Sequence, residues 1–207
     1  MFITFEGVDL CGKTTQAEIL IERLKNLGLD VVFVREPGGT RISEHIRKIL
    51  LDSENKEMDA ITELFLFSAS RAQLVKEVII PSLNSGKVVV CDRFYDSTLA
   101  YQGYGRGIEI EKIKTINELA SAGLTPDITF LIDIPVDEIY KRKKAKYSEF
   151  DRMENSGIEF YNRVRYGYLE ISKSSDRFVV IDGTRGIEEI SERIWEIVFE
   201  KLKTKVK

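Results

Sequence analysis

The chain has 207 residues, 43% hydrophobic and 31% charged, with 4 Pro and 14 Gly, a balance that suits an α/β domain and excludes the disordered and collagenous classes. A formal net charge of −3 supplies no whole-molecule positive field to hold a nucleic acid polymer by counterion release. With Cys11 and Cys91 as its two cysteines, no leader-like start and no apolar run near the roughly 18 residues a membrane helix needs, the chain is expected in the cytoplasm, without a membrane span or disulfide framework.

Short β-branched or aromatic runs alternate with longer amphipathic ones, the order expected of parallel strands joined by helical crossovers. Strands are predicted over 2–5, 31–35, 88–91, 127–133 and 178–182, four of them near-continuous apolar runs of the kind that helices cover on both faces. Helices are predicted over 13–27, 42–51, 59–83, 97–101, 109–122, 136–146, 157–173 and 187–202. Gly28, Gly86 and Gly123 follow helical stretches, where a left-handed cap costs least. The expected fold is α/β, a five-stranded parallel sheet with helices on both faces, in a single domain over residues 1–207. A segment at about 141–155 is set apart as a lid.

Residues 7–14 read Gly-Val-Asp-Leu-Cys-Gly-Lys-Thr, which satisfies GxxxxGK(S/T) directly after a predicted strand and before a predicted helix. Glycines let backbone N–H groups approach phosphates, a Lys reaches the β- and γ-oxygens, and a hydroxyl binds Mg²⁺. Gly12, Lys13 and Thr14 fill those places. Cys11, near a helix N-terminus, is either a small residue that fits or a thiol of lowered pKa. Asp92-Arg93 follows a strand, where a carboxylate supports Mg²⁺ and a guanidinium clamps phosphates; a surface ion pair capping the strand is the alternative.

Arg35-Glu36-Pro37-Gly38-Gly39-Thr40 also ends a strand and opens a helix, with Gly-Gly permitting close backbone approach. Arg47, two turns on, can reach back to the same crevice. Phe67 and Arg71 share one helix face and suit a planar base, although Leu64, Phe65, Leu66 and Leu74 around them favour core packing for Phe67. The run Lys-Arg-Lys-Lys-Ala-Lys at 141–146 with Arg152 is a solvated basic face or, given the polar segment 147–155 beside it, a cationic flap over phosphates.

These motifs in order, with Phe5-Glu6-Gly7, Thr15-Gln16, Phe94, Ala100-Tyr101-Gln102-Gly103, Gly123-Leu124-Thr125-Pro126-Asp127, Asp151-Arg152-Met153-Glu154, Phe160, Arg163-Val164-Arg165 and Gly167-Tyr168-Leu169, resemble the thymidylate kinase family over nearly the whole chain. The resemblance implies a P-loop NTPase-type fold, transfer of the ATP γ-phosphoryl to dTMP with Mg²⁺, and a homodimer. It implies that the loop of Gly7, Val8, Asp9, Leu10, Cys11, Gly12, Lys13, Thr14 and Thr15 holds ATP together with Arg142, which forms the lid with Lys146 and Arg152, and that the turn from Gly183 through Thr184 to Arg185 lies by the adenine. Thr14 and Asp92 hold Mg²⁺. Asp9, Glu36 and Pro37 face the acceptor, and Arg47 and Arg93 take its phosphate. Phe67 stacks on thymine, Arg71, Thr98 and Gln102 read or support its edge, and Tyr101 crowds the sugar 2′ position. Lys13, Arg93, Asp92, Arg142, Lys146 and Arg152 form the catalytic set. Family members carry arginine in the loop, or glycine there with a basic lid; Leu10 matches neither, so neutralisation of the moving phosphoryl group falls to the lid. Rival readings are another nucleoside monophosphate kinase, acting on UMP or AMP, and a nucleotide-binding regulatory switch; the latter lacks an Asn-Lys-x-Asp stretch here.

Overall fold

A computed structural model describes residues 1–145, 152–153 and 157–205. Strands β1 (Phe2–Glu6), β2 (Val31–Arg35), β3 (Val88–Asp92), β4 (Ile128–Asp133) and β5 (Phe178–Asp182) pair in parallel in the order β2-β3-β1-β4-β5, each within a residue of its predicted bounds. Period-two alternation sends neighbouring side chains of β1 to opposite layers. Phe2 packs in a cluster with Leu74, Val89 and Phe94, whereas Ile3 and Phe5 pack with Leu20, Leu24 and Ile194. The central strands β1, β3 and β4 are buried almost throughout. The edge strands β2 and β5 are only partly so, with Phe33 and Val180 exposed; apolar composition does not separate an edge strand from a central one.

The crossovers are α1 (Lys13–Asn26), α2 (Arg41–Leu51), α3 (Ala60–Leu74), α4 (Ile80–Asn84), α5 (Tyr95–Thr98), α6 (Ile110–Ser121), α7 (Val136–Ala145), α8 (Ile158–Ser172) and α9 (Ile187–Lys205). Thr40 caps α2 by accepting from Ser43 N, and Asp59 caps α3 by accepting from Ile61 N, as side-chain oxygens before a helix do. The predicted helix over 59–83 runs as one rod whose middle, Val75–Ile79, widens into a π turn between α3 and α4. Pro81 accounts for it: the ring lacks an N–H and crowds the carbonyl four residues back, and a wider turn relieves that clash.

The helix predicted over 97–101 starts earlier and runs on as a π-helical segment, Leu99–Gly105. Gly103 and Gly105 lower its helical signal, yet packing demands them. A Cβ on Gly105 would lie 2.7 Å from Phe160 Cε2, and one on Gly103 2.5 Å from Ile110 Cδ1. Opposite, a Cβ on Gly167 of α8 would meet Tyr104 Cγ at 2.5 Å. Glycines on both sides therefore let α8 press against the segment that carries Tyr101 and Gln102.

Gly167→Ala is expected to destabilise the protein by about 1–3 kcal/mol, the usual range for overpacking. Urea unfolding checks this, and a wild-type midpoint would refute so close a contact.

Candidate active site

The register that opposes Phe5 and Arg35 to Asp92 gathers the carboxyl ends of β1, β2 and β3, the edge where open α/β sheets bind ligands. From β1 the chain enters the glycine loop. Gly7 has φ 139°, and a Cβ there would lie 2.4 Å from the Ile132 carbonyl oxygen of β4, so the position is closed to any side chain. Gly12, at φ 102°, precedes α1, and no side chain caps that helix; its first N–H groups and positive dipole end are left to serve an anion. Val8 and Cys11 bury their side chains in the core. The Lys13 ammonium lies 3.1 Å from the Gly7 carbonyl, 2.8 Å from the Val8 carbonyl and 3.6 Å from Cys11 Sγ. Leu10 stands at φ 62°, a conformation costing a non-glycine residue about 1–2 kcal/mol.

The Thr14 hydroxyl donates to Asp92 Oδ2 at 2.5 Å. Hydroxyl and carboxylate are hard oxygen donors of the kind Mg²⁺ takes. Among the described residues no group of three or more His, Cys, Asp or Glu is placed to hold a metal ion by itself; Mg²⁺ commonly keeps waters and substrate phosphates as its other ligands.

Arg93 occupies the centre. Its Nη1 donates to the Gly7 carbonyl at 2.7 Å and to the Tyr168 hydroxyl at 3.1 Å, and Nη2 to Asp9 Oδ1 at 2.5 Å. Asp9 also accepts from the hydroxyls of Tyr101 at 3.0 Å and Tyr161 at 2.8 Å. Burial pushes the Asp9 carboxyl up, but Arg93 and Lys13 beside it, with those hydroxyls, hold it below the ordinary carboxylate range. Asp9 is therefore an anion at neutral pH.

All ten residues predicted to face the acceptor (Asp9, Glu36, Pro37, Arg47, Phe67, Arg71, Arg93, Thr98, Tyr101 and Gln102) line one cavity of about 490 Å³, together with Gly12, Lys13, Thr14, Thr15 and Asp92 from the phosphate end. Phe67 belongs to neither apolar cluster of the described residues and lies on the cavity wall, against the core packing that its leucine neighbours favour. Arg71 is 1% exposed and donates to Glu36 Oε2 at 2.8 Å, Asn117 Oδ1 at 2.9 Å and the Phe94 carbonyl at 3.3 Å. Arg47 donates to the Pro37 carbonyl at 2.8 Å. Burial pushes the Glu36 carboxyl up against the pull of Arg71.

The predicted lid cations separate. Arg142 bridges the Leu10 carbonyl at 3.0 Å and the Gly183 carbonyl at 2.9 Å, tying α7 to the phosphate loop and to the turn after β5. Arg152 instead donates to the Leu50 carbonyl at 2.8 Å and pairs with Glu63 at 2.6 Å, away from the glycine loop. Lys146 lies outside the described residues. Thr184 and Arg185 bond to Asp182 and do not line the cavity.

The thymidylate kinase family model matches residues 5–194. Among relatives, the thymidylate kinase of Caldanaerobacter subterraneus subsp. tengcongensis is 48% identical over 98% of this chain and 96% of its own length. That of Kosmotoga olearia is 49% identical over 94% and 93%. The crystal structure of thymidylate kinase from Ehrlichia chaffeensis superposes with a TM-score of 0.77 at 38% identity, covering 96% of this chain and 98% of the other. The chain belongs to the thymidylate kinase family.

For a member of the thymidylate kinase family, several site groups escaped the reading of the sequence. Arg35, Ser97 and Met153 line the cavity, Tyr161 and Tyr168 reach it through Asp9 and Arg93, and Glu6 and Glu63 lie behind it. Arg35, Glu6, Met153 and Tyr168 stand inside the motifs quoted above, so the signal for them was adjacency; nothing local marks Glu63. Glu6 accepts from Phe94 N at 2.8 Å, the Ser97 hydroxyl at 2.6 Å and the Tyr168 hydroxyl at 3.0 Å, and so anchors the turn that carries Arg93. Burial, reinforced by the nearby Asp96 carboxylate, pushes its carboxyl up to about 7 from an ordinary 4.5.

A proton thus bound by the folded state is released by the unfolded chain above pH about 4.5. Stability should therefore fall as pH rises from about 4.5 to about 7, Glu6 contributing about 3 kcal/mol, with the raised Glu36 and Asp96 acting in the same sense. Urea unfolding of wild type and Glu6→Gln at pH 5 and pH 8 checks the sign: the variant should lose less stability between the two. An equal loss would show that Glu6 does not titrate there.

Proposed function

We propose that the protein transfers the γ-phosphoryl group of ATP to dTMP, giving ADP and dTDP. An oxygen of the dTMP phosphate attacks the γ-phosphorus, a new P–O bond forms, and the bond to the β-phosphate oxygen breaks toward ADP. The observation that carries this reading is a single cavity with the glycine loop, Lys13 and Thr14–Asp92 at one end and Phe67, Arg71 and Gln102 at the other. A triphosphate tail and a base-bearing monophosphate would meet there end to end.

Phosphoryl transfer asks the protein chiefly to align two anions and neutralise charge on the moving group. Lys13 and the α1 amides serve the triphosphate. Arg93, fixed by Asp9 and the Gly7 carbonyl, and Arg47 serve the acceptor phosphate, and Tyr101 beside Asp9 faces its sugar. Phe67 stacks on the base. Arg142 brings the lid's charge to the loop at Leu10, in place of a loop arginine. Mg²⁺ at Thr14 and Asp92 would supply Lewis-acid charge to the phosphates.

We further propose that residues 1–207 form one domain and that the protein works in the cytoplasm as a homodimer on small-molecule substrates. Among the described residues no helix is long and apolar enough to cross a membrane. The dimer reading is supported by an apolar face on the packed pair α2 and α3, where Ile42, Ile49, Ile61 and Phe65 are 44–56% exposed. Spacings of seven on α2 and four on α3 put each pair on one helix face, and a second copy of the same surface would cover both.

A panel of nucleoside monophosphates with ATP should show dTMP as the preferred acceptor; preference for AMP or UMP, or tight nucleotide binding with no acceptor at all, would defeat the assignment. Arg93→Lys keeps the charge but loses the fork that spans Asp9 and Gly7, so kcat/KM for dTMP should drop roughly 10²-fold or more. Near-normal turnover would remove Arg93 from the centre. In sedimentation velocity the wild type should run as a dimer and Phe65→Glu as a monomer, and a monomeric wild type would end the dimer reading.

A further inference from the structure

Behind the base end of the cavity lies a carboxylate that no motif marks. Glu63, on α3 one turn before Phe67, is 1% exposed. Its Oε1 accepts from Gln102 Nε2 at 2.8 Å and Arg106 Nε at 3.2 Å; its Oε2 accepts from Arg106 Nη2 at 3.1 Å and pairs with Arg152 Nη1 at 2.6 Å. Burial pushes this carboxyl up, but Arg106, Gln102 and Arg152 together hold it below its ordinary range, so it is ionised. An ionised carboxylate only accepts. An amide whose oxygen faced it would set two acceptors against each other, so the –NH₂ of Gln102 must face Glu63. Gln102 itself is 1% exposed and lines the cavity, and no described residue donates to its Oε1. Arg71, on the same wall, has five N–H groups; three of them donate to Glu36, Asn117 and the Phe94 carbonyl, and its guanidinium lines the cavity. The wall therefore offers a fixed acceptor beside the donor face of Arg71.

We propose that Glu63 is a positioning residue for acceptor choice. By fixing the Gln102 amide with its oxygen toward the ligand, it selects a base that presents a ring N–H beside a carbonyl, a 2,4-dioxopyrimidine, over a 4-aminopyrimidine, which presents a bare ring nitrogen beside an –NH₂. The inference rests on dTMP as acceptor and adds the residue that enforces the choice. A site built to hydrogen-bond one pattern rejects the reverse because its own polar groups are left unpaired.

The test compares kcat and KM for dTMP and dCMP in wild type, Glu63→Gln and Arg106→Gln. A neutral amide at 63 accepts either face of Gln102, so in Glu63→Gln the ratio of kcat/KM values, dTMP over dCMP, should fall at least about tenfold, through a higher KM for dTMP with kcat nearly kept. Arg106→Gln removes a charge partner but keeps the carboxylate, so its ratio should stay within about threefold of wild type. If the ratio falls equally in both variants, or is unchanged in Glu63→Gln while the wild type favours dTMP, this inference is overturned and the acceptor assignment stands. A wild type that takes dCMP as readily as dTMP overturns both. Should Glu63→Gln fail to fold, the wild-type protein still answers. The Gln102 side-chain amide should exchange slowly and resonate downfield by NMR, as a donor to a buried carboxylate, and an ordinary, fast-exchanging amide would refute the fixed orientation.

Discussion

The site depends on one junction, the Arg93 guanidinium clasped between the Gly7 carbonyl and the Asp9 carboxylate. Those acceptors belong to the glycine loop after β1, while Arg93 directly follows β3, so the contact joins two parallel strands at their carboxyl edge. Arg93 stands at φ 69°, a strained conformation for a non-glycine residue that persists only where its surroundings over-determine it. Here the surroundings are its own N–H bonded to the Phe5 carbonyl at 2.9 Å and the following Phe94 N–H bonded to Glu6. Breaking one half of such a partly buried pair leaves the other charge without compensation, which is costlier than never having formed the pair.

Around that junction the protein spends polar groups where an ordinary core would use apolar ones. Thr4 and Thr129 exchange a hydroxyl bond at 2.8 Å across β1 and β4, and Asp96 forms a bidentate pair with Arg177 at 2.9 and 2.7 Å. Glu6 joins this layer to the Arg93 turn through Ser97 and Tyr168. Partnered networks of this kind hold side chains in one geometry, and a phosphoryl-transfer site needs that rigidity because its catalysis is mostly alignment. The buried Oε1 of Glu36 has no partner among the described residues, an acceptor left open beside the Arg71 contact.

The cavity wall around Tyr101 and Gln102 is built by packing rather than by loops. The π-helical segment Leu99–Gly105 leans on α8 through glycine contacts on both sides, and this closeness sets Tyr101 against Asp9 and Gln102 against Glu63. Arg106, one residue beyond, lies 4.5 Å from the centroid of the Phe160 ring while pairing with Glu63. One short stretch thereby carries both Tyr101, which meets the glycine loop at Asp9, and Gln102, which meets Glu63 on α3.

Strand positions, the glycine–lysine loop between β1 and α1 and the parallel sense of the strands were readable along the chain because each rests on local rules: periodicity, glycine where a turn needs it, and a lysine one residue later; the order in which the strands lie was not. Asp92-Arg93 was readable for the same reason, as charged residues at the end of an apolar strand. What only the tertiary structure decided concerns partners distant in sequence. Phe67 faces the cavity rather than the core, Arg152 goes to Glu63 while Arg142 goes to the loop, and residues 95–105 extend as helix despite two glycines. Helical spacing tells which residues share a face but not what that face meets, and a cation among several carboxylates is assigned by distance in space, which the order of residues does not contain.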